Sequence, residues 1–154
     1  MQDRWTILSL FFVVIALFFS TALVAHAQKS SIPLLALVED LNETRGDVAQ
    51  LTVELRPGTG RVFVDTFPLT RIATQISMRF AQQVACKETG VRCDTYDFIY
   101  TIESVPGIVG GPSAGSAATV LTASMLRGDV LDKQVALTGT INSGGFIGPV
   151  GGVH

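Results

Sequence analysis

The sequence predicts an α+β domain, α/β-like in its alternation, following an N-terminal apolar helix. Three observations carry this. Leu51, Val53 and Leu55 alternate with Thr52 and Glu54, which is the period of a half-buried strand. Ile72, Ile76, Phe80 and Val84 recur every four residues, which is the period of an amphipathic helix. A run of small residues after a Gly/Pro-rich loop, Ser113 to Leu126, reads as a second helix. Strands and helices interleave in mixed order, so both element types share one core.

Taken along the chain, Ile7 to Val24 is an almost wholly apolar run without charge, preceded by Arg4 and followed by Ala25-His26-Ala27. It approaches the ~20 residues that span a bilayer. The small residues after it suit a signal peptidase. A signal peptide and a transmembrane anchor, over residues 1–27, both remain open. Arg4 favours an inside N-terminus, which puts the remainder outside the cytoplasm. Residues 28–31 read as a polar linker, and Ile32 to Leu41 as a first strand. Gly46-Asp47 reads as a turn, and with it the span 28–45 ends and the main domain, 46–154, begins.

Within that domain, Val48 to Leu55 is the second strand, Pro57-Gly58-Thr59-Gly60 a turn, and Arg61 to Val64 the third strand. The helix from Ile72 to Cys86 is expected to bury Ile72, Ile76, Phe80 and Val84, with Gly90 helping to end it. Phe98 to Ile102 is a short strand, Ser104 to Pro112 a loop, and Gly128 a C-cap for the second helix. Gln134 to Ile141 reads as a strand, Asn142 to Gly145 as a turn, and Phe146 to Val150 as the start of another strand.

A chain of 154 residues is a prior for one domain, and its formal net charge of −2 implies no basic surface for nucleic acid. Cys86 and Cys93 do not form C-x-x-C, and the two histidines, His26 and His154, lie far from them, so the spacing argues against zinc. In an oxidising compartment the two cysteines are expected to form a disulfide, the other reading being two buried thiols.

The candidate chemistry lies in Val109-Gly110-Gly111-Pro112-Ser113-Ala114-Gly115. Glycines let a substrate carbonyl approach the backbone. The first amides of a helix lack intrahelical acceptors and can donate to a developing oxyanion. Gly110, Gly111 and Ala114 are the loop and oxyanion candidates, and Ser113 is the candidate nucleophile. By residues alone, Ser113 can equally be a helix cap. Gly111-x-Ser113-x-Gly115 also fits a nucleophile elbow formally, with Asp129 or Asp132 and then His154 in the required order. The remaining sequence is too short for that doubly wound sheet, and Pro112 suits the strained turn poorly. No Gly-Lys-Ser/Thr is present, which excludes a Walker P-loop.

Gly110-Gly111-Pro112-Ser113-Ala114-Gly115 resembles the nucleophile motif of the Lon (S16) peptidases. Leu137-Thr138-Gly139-Thr140-Ile141 resembles the family's Thr-Gly strand, about 25 residues on, and Pro149-Val150-Gly151-Gly152 its following turn. Val53 to Val64 is similar to archaeal Lon-like serine proteases that lack an ATPase and begin with a signal or membrane segment. The resemblance covers about residues 46–154 and implies a Ser–Lys endopeptidase acting on unfolded or flexible polypeptides, with no cofactor and no ATP. Homo-oligomerisation stays open. Ser113 would be the nucleophile, and Thr138 would orient a lysine general base placed a few residues past the Pro149–Gly152 turn. Bacterial Lon has an acidic residue where Gly110 stands. The chain given ends at His154, and Lys29, Lys87 and Lys133 do not match the lysine's place, so the expectation is a domain truncated before its base. The alternative is a non-catalytic extracytoplasmic binding or structural protein on the same domain.

Overall fold

The computed structural model describes residues 27–39, 44–67, 70–103 and 108–152. The apolar run 7–24 and His154 lie outside the described residues.

Strand β1 (Gln28–Glu39) pairs antiparallel with β2 (Thr44–Pro57) along its whole length. β2 pairs antiparallel with β4 (Tyr96–Glu103), and β4 pairs parallel with β3 (Val62–Phe67). A short β5 (Ile108–Val109) pairs with β1 at Val38 and Glu39, giving the order β3-β4-β2-β1-β5. Parallel β3 and β4 need a crossover connection, which helix α1 (Ile72–Thr89) supplies. A 3-10 turn at Pro112–Ala114 leads into helix α2 (Gly115–Arg127), and β6 (Thr140–Ile141) and β7 (Ile147–Gly148) form a small hairpin.

Register explains the core. Ile32, Leu51 and Ile102 lie in one row across β1, β2 and β4, and the next rows place Val53 beside Tyr100 and Leu55 beside Phe98. All of these are buried. They join Met78 and Ala81 of α1 and Ala117, Ala118 and Leu121 of α2 in one cluster. The Tyr100 hydroxyl would be orphaned there, but it meets Thr122 Oγ1 at 2.9 Å and so ties the sheet to α2. Burial pushes the Tyr100 phenol above its ordinary value, so it stays neutral. Gly90 and Gly128 cap their helices in the left-handed conformation, at φ 71° and 76°.

Several elements differ from the sequence expectation. The strand begins at Gln28, so residues 28–31 are not a linker: a polar stretch becomes a strand because β2 continues far enough to pair it, Gln28 opposite Leu55. Gly46 and Asp47 are not a turn but lie inside β2, opposite Leu37 and Ala36. Helix α1 is rotated from its apolar period. Thr74, Ser77, Met78, Ala81 and Ala85 are buried with Val84, while Ile72 is 75% exposed and Ile76 46% exposed. The small residues let α1 lie close to α2, and that contact overrides the isoleucine stripe. The strand expected from Gln134 to Ile141 shortens to Thr140–Ile141, because the backbone at Gly139 bonds instead to the turn at the head of α2.

Cys86, near the end of α1, and Cys93 are joined in a disulfide with a Cα–Cα distance of 5.9 Å. The turn between β2 and β3 is held by Asp97 of β4, whose Oδ1 accepts from Thr59 N–H at 2.8 Å and Arg61 N–H at 3.0 Å. Those two bonds to its charged form hold the Asp97 carboxyl below the ordinary carboxylate range.

Candidate active site

The site is built where two glycine-dependent turns meet. Gly111 has φ 125° and ψ 167°, a conformation that glycine adopts and side-chain-bearing residues rarely do. Pro112 then opens the 3-10 turn with its fixed φ, and Ser113 stands in the middle of that turn, half-buried. The α-helix proper starts two residues later, at Gly115.

From the other side the chain returns at residues 138–141. Gly139 N–H donates to the Ser113 carbonyl at 2.9 Å, and Ser116 N–H donates to the Gly139 carbonyl at 3.0 Å. Thr138 Oγ1 makes a longer bond to the same Ser113 carbonyl at 3.4 Å. This approach needs two positions without Cβ. A Cβ on Gly115 would lie 2.6 Å from Ile141 Cγ2, and one on Gly139 would lie 2.8 Å from Ser116 Oγ. The small residues at the head of α2 therefore let the returning strand press onto the helix terminus.

Ser113 and Thr138 open together into a cavity of about 330 Å³. Leu35 and Ala36 of β1 and Val48 of β2 give it apolar walls, and Val150 and Gly151 close one side. Asp47 is the one charged residue lining it among the described residues, and its Oδ1 accepts from Val48 N–H at 2.7 Å. Such a space is large enough for a side chain and a stretch of extended peptide beside the serine. No group of described residues could hold a metal ion.

The structure thus brings Ser113, Thr138 and Gly110 to one cavity. Ala114 is buried just beneath, in the core. Three amides at the head of the helix are already engaged: Gly111 N–H to Thr74 Oγ1 at 3.2 Å, Gly115 N–H to the Pro112 carbonyl, and Ser116 N–H to Gly139. Gly111 therefore shapes the loop rather than offering its amide to a substrate. Lys133 is exposed and is not among the residues lining the cavity.

Two residues escaped the sequence reading. Thr74 and Ser77 of α1 are buried, and their hydroxyls reach the carbonyls of Gly111 at 3.0 Å and Pro112 at 3.5 Å. The signal for them was two hydroxyl residues three apart, on one face of the helix with Met78, Ala81 and Ala85, hidden because the isoleucine period pointed to another face.

Against known families, residues 43–154 match the model of the Lon protease (S16) C-terminal proteolytic domain. No curated protein matches the chain.

Proposed function

The chain belongs to the Lon (S16) serine peptidase family, and from that premise we propose that it is an ATP-independent Ser–Lys endopeptidase with Ser113 as its nucleophile. The observation that carries this is the placement of Ser113 in a turn held by Gly111 and Gly139, facing a half-apolar cavity that Thr138 also lines. A serine hydroxyl is a weak nucleophile at neutral pH and needs a positioned base. In this reading the base is a lysine following the Pro149–Gly152 turn. Val150, Gly151 and Gly152 line the same cavity as Ser113, which supports a base that follows this turn. An apolar wall lowers the pKa of a lysine by desolvation and so makes it competent as a base near neutrality.

In the proposed reaction Ser113 Oγ attacks the scissile carbonyl while the lysine takes its proton. Backbone amides of the serine turn, that of Ala114 first among them, face the developing oxyanion. The tetrahedral intermediate then collapses: the scissile C–N bond breaks and the lysine ammonium gives its proton to the departing amine, which leaves the acyl-enzyme on Ser113 and the lysine neutral again. Water deprotonated by that lysine attacks the ester, and the proton returns to Ser113 Oγ as the acid product departs. The substrates are unfolded or flexible polypeptides, because the cavity receives extended chain and no ATP-driven unfolding is invoked. The type proposed is the archaeal Lon-like kind, membrane-anchored or secreted with the peptidase domain outside the cytoplasm. The uncharged run 7–24 and the disulfide support that location. Among the described residues no helix is long and apolar enough to cross a membrane.

The test is cleavage of casein by residues 1–154, by a chain extended through the lysine, and by the extended chain with Ser113→Ala. The expected result is cleavage by the extended chain alone, since general-base catalysis contributes roughly 10²–10⁴-fold. Cleavage that survives Ser113→Ala refutes the nucleophile. An inactive extended chain favours the second reading, a non-catalytic extracytoplasmic binding protein on the same domain.

A further inference from the structure

We propose that Thr74 is a positioning residue for Ser113, its hydroxyl setting the orientation of the loop that carries the nucleophile. The inference rests on Ser113 being the nucleophile, and it assigns a role to a residue on a helix remote in sequence from the serine motif.

Thr74 is 1% exposed and sits on the face of α1 turned toward the serine loop. Its Oγ1 donates to the Gly111 carbonyl at 3.0 Å and accepts from Gly111 N–H at 3.2 Å. One hydroxyl can do both because an extended residue points its N–H and C=O to the same side. Both soft dihedrals of Gly111 are thereby held from outside. That matters at glycine, which without such a clamp has the widest choice of conformations.

The bonds at Gly111 belong to a series. Three consecutive carbonyls, of Gly111, Pro112 and Ser113, are held by donors from outside the loop. Thr74 takes the first, Ser77 the second by a long contact of 3.5 Å, and Gly139 the third at 2.9 Å. Helix α1 therefore grips the entry to the turn while the returning strand grips Ser113 itself. Thr74 does not line the cavity of about 330 Å³; it borders only a small space of about 20 Å³ behind Gly110, Gly111 and Ser113, so Thr74→Val, which keeps its shape, leaves the walls of the larger cavity in place. A Cβ on Gly111 would lie 4.0 Å from Ser113 Oγ, so rotation of the Gly111 peptide acts directly beside the nucleophilic oxygen.

The experiment uses the full chain carrying the lysine, with Thr74→Val, which keeps the shape and removes the hydroxyl, and Thr74→Ser, which keeps the hydroxyl. The expected result for Thr74→Val is a fall in kcat for casein of about 10–100-fold, the scale on which misplacement of a reacting group acts, with KM within about twofold. Thr74→Ser should hold kcat within about threefold even where its melting temperature falls. Amide exchange at Gly111 should quicken in Thr74→Val while that at Val53 and Tyr100 does not. Should Thr74→Val fail to fold, Thr74→Ser decides: retained kcat supports the role and loss overturns it. Full kcat in folded Thr74→Val, or equal loss in both variants, overturns the role of Thr74 alone. Casein cleavage that survives Ser113→Ala overturns the nucleophile and the Thr74 role with it.

Discussion

Substituting Gly115→Ala adds one methyl group where the head of α2 meets β6. The added Cβ would stand 2.6 Å from Ile141 Cγ2 and 3.0 Å from the Ile141 backbone nitrogen. A side-chain methyl can turn away, but a backbone nitrogen moves only if the strand moves. Overpacking of this kind costs about 1–3 kcal/mol. Alanine at a helical position, and Gly115 has φ −63° and ψ −44°, returns up to ~1 kcal/mol relative to glycine. With the full return, these two terms leave a loss of up to about 2 kcal/mol. If the strand backs off, the pair of bonds between Gly139 and residues 113 and 116 lengthens as well, each worth ~1 kcal/mol. Urea unfolding followed by circular dichroism measures the loss. Gly46→Ala is the control: it lies within β2 and nothing stands within 4 Å of its Cβ, so it should cost nothing and gain at most about 1 kcal/mol, the strand interior's preference for alanine over glycine. Gly115→Ala as stable as the parent would refute the reasoning, because helix propensity alone would then describe the site.

Two more perturbations follow from the same structure. Replacing both cysteines by serine should lower stability by about 2–3 kcal/mol in the chain-entropy treatment of so short a loop, read from denaturant midpoints, and thiol labelling of the protein under denaturing, non-reducing conditions should find neither Cys86 nor Cys93 free. Two free thiols would argue against both the bridge and the proposed oxidising compartment. Because the Asp97 carboxyl titrates lower folded than unfolded, its contribution is present above about pH 3.9 and is lost as pH falls through the ordinary carboxylate range toward the folded value. Thermal melts of Asp97→Asn should converge on the parent over that window, and a difference that stays constant with pH would show that the charge is not what holds the turn.

The sequence made the strands legible where one face is buried, because burial imprints period two on Leu51, Val53 and Leu55. Both helix ends at Gly90 and Gly128 were legible for a backbone reason: each glycine caps its helix in the left-handed region. The buried face of α1 was not legible. Hydrophobic period assumes that a helix packs by its largest apolar residues, whereas α1 packs by its smallest, with Thr74 and Ser77 making bonds that no local pattern encodes. The strand boundaries failed for a related cause: Gln28 to Ser31 and Gly46-Asp47 are strand only because each is the other strand's partner region, and pairing is a non-local property. At the candidate site, the proximity of Ser113 and Thr138 was readable from the family resemblance alone. The glycines at 115 and 139 were visible in the sequence, yet their complementarity appears only when the two segments meet.

That meeting has a temporal side. The turn bearing Ser113 is braced by a helix that precedes it and by a strand that follows it. During synthesis the chain emerges in order, and contacts between distant segments wait for the later one. A nascent polypeptide ending between Gly115 and Gly139 holds every atom of the serine motif but lacks the Gly139 N–H that fixes the Ser113 carbonyl. A domain assembled in this way cannot present a fully braced Ser113 turn to its neighbours, or to itself, until the downstream segment has been made and has docked.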